Sequence, residues 1–391
     1  MDYLKLFQNH SEYETFVSGG TMLKPNASYC MQENEVHYNK KTWADEYLTI
    51  TPHGNGNVVI NMYSGLTTDI LSSISYSKDN GETWITTNNV NGSNVTVTIQ
   101  AVDGEDILLK GEGTSMAKGG GTVSNKPASG TSFSTNFEFI LKGNIMSLLK
   151  GDNFKNDSDI TESTYTFSYL FSGCTNLVDA ENLVLPATTS ANYCCYYMFQ
   201  GCTGLTTAPE LPATTLGSRC YYGMFDGCTS LATAPELPAT TLADYCYMAM
   251  FGGCTSLTTA PELPATALTD WCYANMFKNC TGLTVAPELP ATTLVTYCYR
   301  EMFRGCTGLV TAPELPATTL VSNCYTSMFY GCTSLNYIKA MFTTTPSGTY
   351  TNNWVSNVAA TGTFVKNAAA EWDVSGASGI PNGWTVQTAS A

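Results

Sequence analysis

The residues able to do chemistry are few and poorly placed for it. The histidines are His10, His37 and His53, and none has a nucleophile or carboxylate at a spacing that makes a base–nucleophile pair. The triple glycine at 119–121 lacks a strand–loop–helix frame with a following Lys-Ser/Thr, so it is no phosphate cradle. No enzyme is expected.

Cysteine is what recurs. Of 15 cysteines, Cys174, Cys202, Cys228, Cys254, Cys280, Cys306 and Cys332 sit in GCT or NCT tripeptides, and every step after the first is 26 residues. A second column, Cys194, Cys220, Cys246, Cys272, Cys298 and Cys324, keeps the same interval. Disulfides between the columns would need Cα atoms ~4.4–6.8 Å apart, which a helical turn between them does not provide. Zinc would call for CxxC spacing or paired histidines. Buried thiols packing as small hydrophobes are the favoured reading, with disulfides the alternative.

Carboxylates recur too. Glu210, Glu236, Glu262, Glu288 and Glu314 of the APEL motif would stack five like charges, so that face is either open to water or neutralised by a cation such as Ca²⁺, which prefers carboxylate oxygen. Solvation is the default and no resident cofactor is expected.

Two further columns vary freely. The residue before the first cysteine of each repeat runs Tyr193, Arg219, Tyr245, Trp271, Tyr297, Asn323; the residue after the phenylalanine runs Gln200, Asp226, Gly252, Lys278, Arg304, Tyr330. Positions that tolerate any chemistry are expected to be exposed. The first column is rich in the aromatic and Arg side chains that dominate recognition hot spots. Tyr193, Arg219, Tyr245, Trp271, Tyr297, Asn323, Lys278, Arg304 and Tyr330 are therefore the candidate ligand-binding residues. The competing reading has the aromatics packing between neighbouring coils.

The elements that hold these columns follow from one unit, LTTAPELPATALTDWCYANMFKNCTG from Leu257. LTTAPELP reads as a short extended segment at a strand edge or end, because Pro cannot donate to a ladder, with Leu257, Ala260 and Leu263 inward. CYANMF places Cys272, Met276 and Phe277 on one face of a single helical turn. So small a coil cannot bury its own apolar side, and neighbours must stack into a solenoid with a core of Leu, Met, Phe and Cys.

Phe-x-Gly-Cys-Thr-x-Leu followed by Leu-Pro resembles the BspA-like leucine-rich repeats common in gut bacteria and their phages. The resemblance covers nearly half of the chain. It implies a surface adhesion or ligand-recognition protein, which spacing alone does not. The fold class expected is mainly β with short helices, a leucine-rich-repeat solenoid of 26-residue units preceded by a small antiparallel β-sandwich.

Outside the repeat, residues 1–45 read as an N-terminal arm; Ser28-Tyr29-Cys30 and Val36-His37-Tyr38-Asn39 resemble N-terminal stretches of phage structural proteins, which implies attachment to other virion proteins. Alternating runs over 46–115 imply an Ig-like β-sandwich. Within it, Ser77-Lys78-Asp79-Asn80-Gly81-Glu82-Thr83-Trp84 fits the Asp-box hairpin of sialidases and other β-proteins, read here as a turn rather than a site. Residues 116–160 form a linker and a cap over the first coil, 161–340 the solenoid, and 341–391 a C-terminal β cap.

Composition narrows the partners. With 32 carboxylates against 17 Lys and Arg, the field repels phosphate backbones and anionic bilayers, so nucleic acid is not expected. No stretch approaches the ~18 apolar residues of a membrane span, and the N-terminus has no Sec-type n- and h-regions. A non-enzymatic recognition protein results: most readily a phage virion fibre or decoration protein binding a bacterial surface glycan or protein, with homo-oligomerisation open to it. A bacterial cell-surface adhesin is the alternative, and a purely structural spacer the third reading.

Overall fold

The structure, a computed structural model, describes residues 27–32, 35–40, 43–62, 71–88, 95–113, 131–156, 160, 164–185 and 191–389. Residues 1–26 of the expected arm and 114–130 of the expected join lie outside the described residues. The chain divides into two units, Met1–Glu46 and Tyr47–Ala391. In the first, β1 (Ala27–Gln32) and β2 (Glu35–Lys40) pair antiparallel, Cys30 opposite His37. Ser28-Tyr29-Cys30 and Val36-His37-Tyr38-Asn39 thus fall on two paired strands.

The second unit begins with two sheets. β3 (Leu48–His53), β5 (Ser73–Ser77), β6 (Ile85–Asn88) and β8 (Ile107–Glu112) belong to a six-stranded sheet; β4 (Gly56–Met62), β7 (Val95–Ala101) and β9 (Ser132–Thr135) make a three-stranded one. Alternation decides which side each strand buries. Along β4, Val58, Ile60 and Met62 are buried, and along β7, Val97, Ile99 and Ala101, while Thr96, Thr98 and Gln100 face water. Both sets join one apolar core with Leu48, Ile50, Ile107 and Leu109 of the larger sheet.

Between β5 and β6 the Asp-box string is a turn. Ser77 Oγ donates to Asp79 Oδ1 at 2.7 Å, the Gly81 amide donates to Ser77 Oγ at 2.8 Å, and the Thr83 amide to Asp79 Oδ1 at 2.9 Å. Asn80 and Gly81 take φ of 57° and 90°. The Thr83 hydroxyl and amide, then the Ser77 hydroxyl, pull the Asp79 carboxyl down to about 2, so the turn is pinned by a charged acceptor.

β10 (Glu138–Asn144) joins this region to the repeats. It lies antiparallel on β3 and parallel to β11 (Leu177–Val184) on its other side. Beyond β11, consecutive LTTAPELP segments touch through single parallel bridges, Asp179 to Thr207, Thr207 to Thr233 and Thr259 to Val285. Two prolines per segment remove the donors a continuous ladder needs. Leu257 and Leu263 are buried and Ala260 is partly so.

The helical turn expected of CYANMF does not form. Among the described residues the one α-helix is the four-residue α1 (Ser147–Lys150). Trp271, Asn275 and Asn279 instead take φ of 61°, 58° and 62°, and a left-handed residue at every fourth position ends any helix. What replaces it is a run of hydrogen-bonded turns in which the amides alternate. Ala274, Met276, Lys278 and Cys280 donate back three residues, to Trp271, Tyr273, Asn275 and Phe277. Tyr273, Asn275, Phe277 and Asn279 donate across to Cys298, Arg300, Met302 and Arg304 of the following repeat, at 2.7 to 3.1 Å. Every amide from Tyr273 to Cys280 has a backbone partner, which repays the left-handed strain.

This geometry points side chains in pairs, two inward and two outward. Cys272, Tyr273, Met276 and Phe277 are buried. The inward rings stack: Phe199, Phe225, Phe251, Phe277, Phe303 and Phe329 follow one another at 5.6 to 5.7 Å. Beside them Tyr221, Tyr247, Tyr273, Tyr299 and Tyr325 are spaced 5.9 to 6.0 Å.

The cysteines of both columns are buried and free. Each thiol of the GCT column from Cys228 to Cys332 donates to the phenylalanine carbonyl 29 residues earlier, as Cys254 Sγ does to Phe225 O at 3.2 Å. Parallel strands β12 (Tyr337–Ala340), β13 (Thr363–Lys366) and β14 (Thr385–Thr388) follow. Trp354 there meets Phe329 at 6.1 Å and donates Nε1 to Gly379 O at 2.8 Å, covering the end of the phenylalanine stack.

Candidate binding face

The outward pairs of the turn runs make one face, and the first variable column is its spine. Tyr193, Arg219, Tyr245, Trp271, Tyr297 and Asn323 all take φ between 55° and 62° and all are half-buried. The structure brings them into a single file. Tyr165 stacks on Tyr193 at 4.3 Å, and the Arg219 guanidinium lies 5.4 Å from the Tyr193 ring and 4.0 Å from that of Tyr245. Tyr245 then stacks on Trp271 at 5.7 Å and Trp271 on Tyr297 at 4.0 Å. Asn323 ends the file by accepting from the Thr326 hydroxyl at 3.1 Å.

The file changes what the column can do. Ring faces are taken up by neighbours in the stack, so the column offers ring edges rather than an open stacking platform. The competing reading, aromatics packing between neighbouring coils, describes these ring contacts.

The second column gathers charge. Gln200 Nε2 donates to Asp226 Oδ2 at 3.4 Å; burial raises the Asp226 carboxyl above its ordinary range, against the Gln200 bond and the Lys278 charge. Lys278 Nζ and Arg304 Nη1 both reach Glu301 Oε2, at 2.9 and 3.1 Å, and Arg304 lies 4.8 Å from the Tyr330 ring. Arg300 Nη2 reaches Glu301 Oε1 at 3.3 Å. Burial pushes the Glu301 carboxyl up, but the Lys278 bond and the charges of Lys278, Arg304 and Arg300 more than reverse it and leave it below its ordinary value.

Sequence reasoning passed over Arg300 and Glu301. It also passed over an aromatic cluster, in which Tyr196 meets Tyr169, Tyr193, Tyr197 and Tyr222 at 4.7 to 5.5 Å. Burial raises Tyr169 to about 12 and Tyr196 and Tyr197 further, so these three present neutral phenols at any physiological pH. The signal that would have found these residues is the variability of the positions three and four after the first column.

The glutamate column lies on the APEL segments instead. Glu210, Glu236, Glu262, Glu288 and Glu314 are all exposed, and Glu314 pairs with Lys339 at 2.9 Å. Shallow grooves between consecutive segments are lined by Pro209, Glu210, Pro235 and Glu236, and again by Pro235, Glu236, Pro261 and Glu262. Among the described residues no three His, Cys, Asp or Glu side chains converge as a metal site would need. No described helix is long and apolar enough to cross a membrane.

A family model, the BspA type leucine rich repeat region, matches in six copies over residues 153–284 and 224–359, which together span more than half of the chain. No curated protein and no solved structure matches it.

Proposed function

Because the chain belongs to the BspA-type leucine-rich repeat family, we propose that it is a non-enzymatic recognition protein of the surface-adhesion type, whose turn runs present a variable face to a bacterial surface glycan or protein. One observation carries this reading. A constant frame of buried Cys, Tyr, Met and Phe holds an outward file, Tyr193 to Asn323, in which side-chain chemistry changes at every step. Packing alone explains the frame but gives no reason for the changes.

The same register supports a solenoid with a 26-residue unit, since cross-repeat amides reach carbonyls 25 residues on, as Tyr273 does to Cys298. The two sheets before it fit the Ig-like sandwich reading, as a stalk for the repeats. Ca²⁺ at the glutamate column would show as a higher melting temperature with calcium; without that effect the carboxylates are simply solvated.

Within this reading the chain serves as a virion fibre or decoration protein anchored through residues 1–45, and the resemblance of the β1–β2 motifs to phage structural proteins favours that over a cell-surface adhesin or an inert spacer. The test is a triple variant, Tyr245→Ala, Trp271→Ala and Tyr297→Ala, checked for folding by circular dichroism and then for binding to whole gut bacteria. Loss of binding by the folded variant supports the face. Undiminished binding rejects it.

A further inference from the structure

Arginine is used three times in this chain, at Arg219, Arg300 and Arg304, and between residues 191 and 331 the only lysine is Lys278. All four fall on outward positions of the turn runs. The glutamate column occupies the APEL segments instead, so a chain of net charge −15 collects its three arginines and Lys278 on one face, while Lys339 pairs with Glu314 of the glutamate column. Three of them converge on one carboxylate. Glu301 has a side chain only 10% exposed, whereas Lys278, Arg300 and Arg304, each within 3.3 Å of it, remain 36%, 35% and 38% exposed.

One buried anion therefore pins three cations whose outer N–H groups still face water. Counting Glu301, the cluster keeps an excess of two positive charges, and Lys278 also acts on the Asp226 carboxyl. Aromatic side chains flank the guanidinium groups. Arg300 lies 5.4 Å from the Trp271 ring and 5.7 Å from that of Tyr297, and Arg304 beside Tyr330. Rings pack against each fork, and its exposed part keeps donors open to a ligand.

We propose that Lys278, Arg300 and Arg304 form a binding site for the carboxylates of an acidic, uronate-type polysaccharide. Guanidinium forks match carboxylate geometry bidentately, and the exposed edges of Trp271, Tyr297 and Tyr330 offer apolar contact to the sugar rings between charges. A linear polymer lying along the file would meet Arg219 three repeats earlier. The surrounding acidic field repels polyanions elsewhere on the molecule, which confines binding to this patch. The site deepens the recognition reading and rests on the same face.

The experiment measures binding of polygalacturonate, dextran sulfate and neutral dextran to the full chain by calorimetry over a salt series. Polygalacturonate is expected to bind, log K to fall linearly with log salt, and dextran not to bind. R300Q/R304Q should weaken binding at least tenfold, and K278Q, which leaves both guanidinium groups on Glu301, severalfold, with melting temperatures recorded for each. Absence of polygalacturonate binding, equal binding of dextran, unchanged affinity in both variants, or binding of dextran sulfate alone overturns the assignment. If polygalacturonate is ignored while the triple aromatic variant loses cell binding, this inference falls and the recognition reading stands. If polygalacturonate binds through Arg300 and Arg304 but cells are not bound, the recognition reading falls and the inference stands.

Discussion

Trp271 and Tyr297 stack with ring centroids 4.0 Å apart and 16° between their planes, from backbones that both hold φ at 61°. The stack thus compensates a conformation that L-residues adopt at a cost of ~1–2 kcal/mol. Trp271→Ala removes two ring contacts and keeps the strain, so it should destabilise by about 1–3 kcal/mol. Trp271→Gly removes the same contacts and the strain together, and is expected to be the more stable of the two, the reverse of the usual order. Urea unfolding of both variants checks this, and an Ala variant as stable as the Gly variant would contradict it.

Gly223 tests the same backbone from the other direction. It occupies the left-handed position four residues after Arg219, with φ of 58°, and a Cβ built there would lie 2.2 Å from Tyr197 Cε1. Gly223→Ala adds both strain and a clash with a packed ring, for an expected loss of about 2–4 kcal/mol. Ala249 holds the same position one repeat later with φ of 56°, so Ala249→Gly should change stability by less than ~1 kcal/mol. Comparable losses in the two variants would show that the register is misassigned.

Asp226 carries a pH signature. Burial raises its folded pKa above the unfolded one, so its contribution to stability is fully present below the unfolded value of ~3.9 and is lost as pH rises through the folded value. At neutral pH the ionised group costs stability that an amide would not. Asp226→Asn can still accept from Gln200, and should melt higher than the parent at pH 7, with the gain vanishing below about pH 4. A gain that persists at pH 3, or a lower melting temperature at pH 7, would sink this account.

The repeat interval, the inward Leu, Cys, Met and Phe, and the variable columns were legible in the sequence because they are spacings and residue types. The turn geometry was not. Over a run as short as CYANMF, inward positions at Cys272, Met276 and Phe277 suit a period of 3.6 as well as one of four, and only the Gly or Asn recurring at Gly253, Asn279 and Gly305 hints at left-handed backbone every fourth residue. Glu301 was invisible for another reason: its significance lies in side chains 23 residues before and three after it, Lys278 and Arg304, a relation set by how repeats abut. The aromatic file was read as exposed because its members vary. The residue type varies, while every ring still stacks on a neighbour and leaves the column half-buried.

The two cysteine columns should react very differently in the folded and the unfolded chain. Burial raises Cys272, Cys280 and Cys332 to about 12 and Cys324 to about 11, and the thiolate rather than the thiol is the nucleophile. All fourteen cysteines of the repeat region are also buried, so at pH 8 the native protein should leave them unreacted with iodoacetamide over hours. The same reagent in guanidinium chloride should modify all fourteen without prior reduction. Mass spectrometry counts the adducts. Pairs that stay unmodified under denaturant until a reductant is added would identify disulfides and overturn the free-thiol core, while rapid labelling of the folded chain would mean that the turn runs open far more readily than their alternating hydrogen bonds imply.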